Sequence, residues 1–538
     1  MNGVATYNMK YVWAICLVAA LGGLLFGYDW VVIGGAKPFY ESLFGISESP
    51  YLQGWAMSSA LVGCLVGALV SGALSDKFGR KRLLILSGLV FTLSAVGTGL
   101  AWSFAWFNVF RWLGGVGIGL ASNLSPMYIA EVAPAQIRGR LVSINQLTIV
   151  IGILAAQITN WQIADAVPTA DQVRLLLSPP SAISSAISSS AGEDGFDVEK
   201  ERAAGQAIAD QSGLAAVQRA FPKIEFFRPV TDAEKKAKAE EDARIVTAYV
   251  LPTWNGQYGW RWMFAATTLP AAVFFLLMFF VPESPRWLVK NAQDEPARGI
   301  LARIGGPSYA DSAIADIRQT VVNEIERVNF RDLLDPKMTK ILLLGVVLAV
   351  FQQWCGINVI FNYAQDVFHA AGYGVSEMLM QIVITGTVNL VLTFVAIYTV
   401  DRWGRRVLML AGASSLAVVY TLMAACFFYQ SKGPHVVLLV LLAIACYACT
   451  LAPVTWVVLS EIFPNRIRGA AMSVSVFALW IGCFTLTFTF PQLRDNLGPA
   501  GTFWLYSGIC VLGFLFILRR LPETKGKTLE QIERDLVD

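Results

Sequence analysis

Charge is scarce in this chain. Asp, Glu, Lys and Arg make up 15% of its 538 residues, against about 25% in soluble globular proteins. The balance is only +3, and no basic run is interleaved with aromatics, so no nucleic-acid partner is expected. Histidine is scarcer still, with His369 and His435 the two in the chain. No His cluster points to a metal, and none is expected. The 8 cysteines all fall in apolar segments, where lone thiols act as small hydrophobes. No nucleophile–base pair or cofactor loop stands out. An enzyme is therefore not expected, and no cofactor is implied.

What fills the chain instead is apolar. Mean hydropathy is +0.55 and 55% of residues are hydrophobic. Runs of membrane length lie near 12–36, 52–75, 83–101, 105–130, 140–162, 260–282, 340–363, 377–400, 407–429, 436–459, 470–491 and 501–519. A spanning helix needs about 20 mostly apolar residues, so twelve spans are expected, in an all-α polytopic membrane protein. The first run is too long for a signal peptide and lacks a small-residue cleavage site. It reads as the first span.

The connections sort by charge. Lys77, Arg80, Lys81 and Arg82 follow span 2, Arg138 and Arg140 span 4, Arg402, Arg405 and Arg406 span 8, and Arg466 and Arg468 span 10. The alternate short loops offer little beyond Lys37, Lys432 and Arg494. The positive-inside rule places the first set, and both termini, in the cytoplasm. The expected division is 1–162 for spans 1–5, 163–258 for an extracytoplasmic insertion, 259–282 for span 6, 283–339 for cytoplasmic linker helices, 340–519 for spans 7–12 and 520–538 for a cytoplasmic tail. The insertion holds a Ser/Ala tract (SPPSAISSAISSSAG) with no core-forming content and a charged helical run (TDAEKKAKAEEDARIV).

The chain also repeats itself. Asp76-Lys-Phe-Gly-Arg80 follows span 2 and Asp401-Arg-Trp-Gly-Arg405 follows span 8. Glu131 and Arg138 at the end of span 4 are matched by Glu461 and Arg468 at the end of span 10. Pro282-Glu-Ser follows span 6 and Pro522-Glu-Thr follows span 12. Two six-span halves with matched signatures point to a transporter whose site lies between them.

These signatures resemble the sugar porters of the major facilitator superfamily. The resemblance covers everything except 163–258. It rests on the order of GYD at 27–29, DKFGRKR at 76–82, SPMYIAEVAPAQIRGR at 125–140, VPESPRWL at 281–288, FQQWCGIN at 351–358, VDRWGRR at 400–406, SEIFPNRIRG at 460–469 and PETKGKTLE at 522–530. Within the family it is strongest to bacterial xylose–proton symporters, with facilitative glucose carriers next. It implies the major facilitator fold and transport of a monosaccharide across the plasma (inner) membrane by alternating access.

Asp29 in span 1 and Arg111 in span 4 are charges inside apolar helices, which are expensive and need partners. Each is placed about eight residues below the outer end of its span, so they should pair. A static ion pair would orient two helices. A proton switch would do more: burial raises the carboxyl pKa, Arg111 lowers it, and protonation frees the arginine. The resemblance favours the switch, because proton symporters of the family carry Asp here and facilitative glucose carriers a neutral residue.

A neutral, hydroxyl-rich ligand calls for amides, which donate and accept, and for an aromatic face. Gln146 on span 5, Gln352, Gln353 and Asn358 on span 7, Asn389 on span 8, Trp456 on span 10 and Trp480 on span 11 match sugar contacts of the family. Phe26 and Tyr363 match aromatics beside its site. Two positions depart from the xylose symporters, which carry Gln where Ile153 and Leu479 stand. A hexose or a mixed specificity is therefore as much an expectation as a pentose one.

Arg80, Glu131 and Arg138 in one half, and Arg405, Glu461 and Arg468 in the other, cluster at the cytoplasmic ends. Topology and solvated pairing explain part of this. Their symmetric placement suggests more, and the resemblance implies a network that bridges the halves when the inner gate is closed and breaks when it opens. The expectation is a sugar–proton symporter with monosaccharide, proton and lipid bilayer as its partners. A facilitative uniporter is the alternative. A non-transporting sensor, which in this fold carries a long cytoplasmic tail, is a further one.

Overall fold

The computed structural model describes residues 7–134, 137–167, 241–242, 244–324, 335–431, 433–463 and 468–525, with Ala170, Val173 and Gln531 besides. The Ser/Ala tract and most of the charged run of the insertion lie outside the described residues, as do Lys432, Arg466 and the segment beyond 525 apart from Gln531.

The described chain is helical. The first half holds α1 (Met9–Phe44), α2 (Pro50–Phe78), α3 (Arg80–Gly99), α4 (Phe104–Val132), α5 (Arg138–Ile163) and α6 (Asn255–Leu277). Three short helices follow: α7 (Pro285–Lys290), α8 (Asp294–Gly305) and α9 (Pro307–Glu324). The second half holds α10 (Pro336–Trp354), α11 (Ile357–Asn362), α12 (Ala364–Ala370), α13 (Val375–Trp403), α14 (Arg405–Phe428), α15 (Pro434–Cys449), α16 (Leu451–Ile462) and α17 (Arg468–Arg520). Among the described residues, 10 segments are long and apolar enough to cross a membrane. The last of them turns at Gly498 (φ 68°) and makes two passes. α4, which carries Arg111 and packs against α2 and α3, makes the twelfth span.

Local signals set the starts. Ser49 and Ser103 accept from the backbone N–H of Leu52 and Trp106, capping α2 and α4, which satisfies donors a helix start leaves open. On α8 the buried residues Ala297, Leu301 and Ile304 recur on one face, so this helix lies on the protein with its charges outward. Tyr7 meets Tyr309 edge-on at 5.4 Å and the Asn8 N–H donates to the Ile304 carbonyl at 2.8 Å. The start of α1 is thereby tied to α8 and α9.

Small residues hold the first half together. A Cβ on Gly115 of α4 would fall 1.8 Å from the Ala60 carbonyl oxygen of α2, and one on Gly27 of α1 would fall 1.9 Å from the Ile149 carbonyl oxygen of α5. Backbones in direct contact are how membrane helices gain packing energy without a hydrophobic drive. All eight cysteines are free, including Cys446 and Cys449, a Cys-x-x-Cys spacing within α15.

One span end differs from expectation, and two spans whose ends agree are broken inside. Span 1 was expected to end before Lys37-Pro38, yet α1 runs on to Phe44 with Pro38 inside it. Lys37 is no loop charge: it is 2% exposed and ion-paired, and a neutralised cation gives the helix no reason to stop. Span 7 is not one helix: Gly356 (φ 88°) separates α10 from α11, and a second break at Tyr363 precedes α12. Span 10 divides at Thr450 into α15 and α16. Broken helices in a membrane protein occur where backbone lines a cavity or an interface.

Candidate functional site

Asp29 and Arg111 are brought together. Arg111 NH1 donates to Asp29 Oδ1 at 2.8 Å, with the residues 5% and 2% exposed. Because α1 runs on to Phe44, Asp29 sits farther from the end of its helix than the span read from the sequence implied. Pairing survives because α4 crosses α1 at that level. Two polar atoms of the pair have no hydrogen-bond partner: Asp29 Oδ2 and Arg111 Nε. The guanidinium lies 5.4 Å over the Phe264 ring. A narrow cavity beside it is lined by Trp30, Met57, Cys64 and, from the other half, Asn362. The carboxylate thus has one strong partner and one oxygen without a hydrogen bond.

The amides of span 7 also come together, across the left-handed Gly356 that separates α10 from α11. Gln353 Nε2 donates to Gln352 Oε1 at 2.7 Å, and Asn358 Nδ2 donates to Gln353 Oε1. Asn358 Nδ2 also points at Cys483 Sγ of α17, 3.7 Å away. One turn before Cys483, Trp480 is buried at 5% and closes an aromatic triangle with Phe26 (6.0 Å) and Trp30 (6.1 Å) of α1. Trp30 directly follows Asp29 in the chain. The acid–base pair and the amide chain are therefore two sides of one contact between the halves.

The other expected residues are more dispersed. Asn389 is buried on α13 and Gln146 half-buried on α5. Trp456 on α16 is 39% exposed and outside the aromatic triangle. Tyr363 is fully buried with its hydroxyl donating to the Thr487 carbonyl at 2.7 Å. Ile153 and Leu479 are buried apolar side chains.

At the end expected to face the cytoplasm, each half builds its own copy of one device. Arg80 Nε meets Glu131 Oε2 at 3.0 Å, and Arg405 NH2 meets Glu461 Oε1 at 3.2 Å. Both pairs lie within a half. Arg138 is exposed, and the side chain of Arg468 lies outside the described residues. Two acids the sequence reading left without a role complete the device. Glu283 Oε1 accepts from the N–H groups of Arg80 and Lys81, both at 3.0 Å. Glu523 accepts from those of Arg405 (2.9 Å) and Arg406 (3.2 Å). Each carboxylate caps a helix start, where free N–H groups and the helix dipole favour negative charge. Gly79 (φ 93°) and Gly404 (φ 89°) make the turns, and a Cβ at either would strike that carboxylate. Burial pushes the Glu523 carboxyl up, but the N–H groups around it outweigh that and hold it below the usual range.

A second charged cluster joins the halves at the opposite end, the one expected to face outward. Lys37 of α1 lies 3.0 Å from Asp366 of α12, and Arg494 of α17 pairs with the same carboxylate and reaches Gln53 of α2 at 3.3 Å. Burial raises the Asp366 carboxyl, yet Lys37 and Arg494 overcome this and hold it below its ordinary value. Tyr51 packs edge-on to Phe488 at 5.3 Å, and the Val167 N–H donates to Ser376 Oγ at 2.8 Å, both across the halves. These contacts close that end. The sequence reading missed this cluster. Its available signal was the i, i+4 spacing of Lys37 and Glu41 inside an apolar run.

A family model described as sugar (and other) transporter matches residues 15–189 and 243–536. The D-xylose-proton symporter of Escherichia coli (strain K12) is 34% identical over 557 residues, covering 98% of this chain and 96% of the relative. The arabinose-proton symporter of Bacillus subtilis (strain 168) is 32% identical, covering 98% and 96%. The glucose transport protein of Synechocystis sp. is 33% identical, covering 98% of each. The solved partially occluded inward-open conformation of the E. coli xylose transporter superimposes with a TM-score of 0.72 at 32% identity, covering 96% of this chain and all of that one. Twelve helical spans, a buried acid–base pair beside an amide chain and full-length likeness place this chain in the sugar transporter family, as a multi-pass sugar porter of the major facilitator superfamily.

Proposed function

We propose that the chain carries a monosaccharide into the cell across the inner membrane together with a proton, by alternating access, with both termini in the cytoplasm. The observation that carries this reading is the buried Asp29–Arg111 pair with its free Oδ2, joined through Trp30 and Trp480 to the amide chain. Asp29 is the proton carrier and Arg111 its counter-charge. Gln352, Gln353 and Asn358, with Asn389 and Gln146, bond the sugar hydroxyls. Trp480, Trp456, Phe26 and Tyr363 face its C–H surface.

Protonating Asp29 removes the charge that holds Arg111, and α1 can then shift against α4. Trp30 moves with α1, so proton occupancy and the sugar wall change together. The intra-half pairs Arg80–Glu131 and Arg405–Glu461 are the inner-gate groups in the state where they do not bridge the halves, with Arg138 and Arg468 completing the network in the opposite state. One charge driven by 100 mV supplies about 2.3 kcal/mol. At about 1.4 kcal/mol per tenfold, that sustains an approximately 40-fold sugar gradient.

Relatives named for xylose, arabinose and glucose leave pentose and hexose both open. The buried apolar Ile153 and Leu479 remove two hydroxyl partners and favour a broad monosaccharide specificity. The test is uptake of labelled pentoses and hexoses into proteoliposomes with and without an acidic exterior. Accumulation that requires the pH gradient is expected for at least one sugar. Equilibration without accumulation would move the protein to facilitated uniport.

A further inference from the structure

The outer cluster contains an acid that the gate does not need for its own cohesion. Glu41 is 5% exposed, one helical turn beyond Lys37 on α1. The Lys37 ammonium lies 3.4 Å from Glu41 Oε2 but 3.0 and 3.1 Å from the two oxygens of Asp366. Lys37 is thus committed to the other half, and Glu41 keeps a stretched share of it. Glu41 Oε1 has no hydrogen-bond partner at all.

The groups around Glu41 give it no alternative. From its own helix come Lys37 and Tyr40. From the segment around α12 come Asp366 and Tyr363, and from α17 come Arg494 with Asp495 behind it. α2 contributes the neutral Gln53, whose amide oxygen accepts from Arg494 and whose nitrogen donates to the Ser47 carbonyl. Tyr40 points its hydroxyl at Met57 Sδ and Tyr363 donates to the Thr487 carbonyl, so neither supplies Glu41 with a hydrogen. Two cations face three carboxylates. Asp366 holds both cations, and Asp495 is 43% exposed and bonded to Arg494 at 2.7 Å. The surplus negative charge falls on the acid that is buried and poorly paired.

We propose that Glu41 is a second proton-binding site, filled from the outer side as the outer gate closes. With the gate open, Asp366 and the second half have withdrawn. Lys37 then pairs with Glu41 alone, an i, i+4 contact on one helix, and Glu41 is held ionised. On closure the Lys37 ammonium swings to Asp366. A hydronium ion of the outer water gives its proton to Glu41 Oε1, leaving a neutral carboxyl and a water molecule: one O–H bond breaks in the hydronium and one forms on the carboxyl. Opening reverses both steps and returns the proton to the same side. This proton therefore does not add to transport stoichiometry. It makes external acidity favour the closed outer gate, so a carrier loaded on the acidic side is driven toward its inward-facing state. The inference rests on alternating access and not on Asp29 as the carrier.

The test separates the two acids by working in the full-length Asp29→Asn protein in lipid nanodiscs. Ser47→Cys before α2 and Asn496→Cys on α17, both exposed, carry spin labels across the outer gate, and a chain without these two thiols supplies the background. As pH falls from about 8 to about 5, the short-distance closed population should rise, with a slope of at most about tenfold per pH unit, that of one proton. Glu41→Gln should fix that population at its acid limit and abolish the slope. Glu41→Asp should keep a slope. Lys37→Met, which leaves Glu41 unpaired in both states, should lose it and serves if Glu41→Gln does not fold. A slope unchanged by Glu41→Gln, or no slope in Asp29→Asn, overturns the second site. A single distance population at every pH would instead remove the alternating-access reading beneath it.

Discussion

The seam between α2 and α4 tests how tightly the first half is built. Gly115→Ala would set a methyl 1.8 Å from the Ala60 carbonyl oxygen, and nothing there is a flexible side-chain tip that could swing away. Cβ atoms essentially never approach other heavy atoms closer than 3.0 Å, so the helices must part by about 1.2 Å, the kind of overpacking that costs about 1–3 kcal/mol. The same motion carries Arg111, one turn earlier on α4, away from the position where it meets Asp29 at 2.8 Å. The mutant should melt several degrees lower, and its sugar counterflow should fall further than its folded fraction does. Gly72→Ala and Gly508→Ala are the controls. Their added methyls meet no atom within 4 Å, and replacing a helical glycine there is worth up to about 1 kcal/mol in the opposite direction. Tryptophan-detected melting in detergent and counterflow in proteoliposomes read both effects. If Gly115→Ala melts with the controls, the close approach of α2 and α4 is wrong.

Three further outcomes follow from the site. Gln353→Ala removes the centre of the amide chain and strands Gln352 and Asn358. Sugar affinity by calorimetry should drop by about 1–3 kcal/mol, beyond detection for a weak binder, and unchanged affinity would take Gln353 out of the site. Glu131→Ala should destabilise more than Glu461→Ala, because the Arg80–Glu131 pair is 8% exposed on each side and the Arg405–Glu461 pair 14% and 23%; equal melting shifts would show that burial does not set their worth. Glu523 has a folded pKa below its ordinary value, so its stabilising effect is present above the unfolded carboxyl range and is lost as pH falls through the lower folded value. Wild type should melt above Glu523→Gln at neutral pH, and the gap should shrink toward zero in acid. A gap independent of pH would contradict the capping role.

Much of this was legible in the sequence because lipid leaves few options. About twenty apolar residues per crossing, charges sorted by loop, and twin Asp-x-x-Gly-Arg turns are read without knowing any contact. The Asp29–Arg111 pairing was legible for the same reason, since neither charge can stay unpaired in its helix. Ends and breaks were harder. Lys37 looks like a loop charge until Asp366 is placed beside it, and Gly356 looks like any helical glycine until its φ of 88° is seen. Glu283 and Glu523 stand in repeated Pro-Glu motifs, but the N–H groups they cap lie far away in the chain. Long-range partners of this kind are chosen by the packing of whole helices, which no local pattern records.

The central claim is that Asp29 carries the coupled proton, and Asp29→Asn tests it most directly. Asparagine keeps the size and hydrogen bonding of the protonated acid and cannot release a proton. Folding is checked by melting, since Arg111 loses the counter-charge it meets at 2.8 Å. Concentrative uptake under an acidic exterior is then measured beside sugar counterflow in the same proteoliposomes. The account predicts that counterflow persists while accumulation is lost. Accumulation retained in the mutant would contradict it, leaving Asp29–Arg111 a static pair and placing the transported proton on another acid.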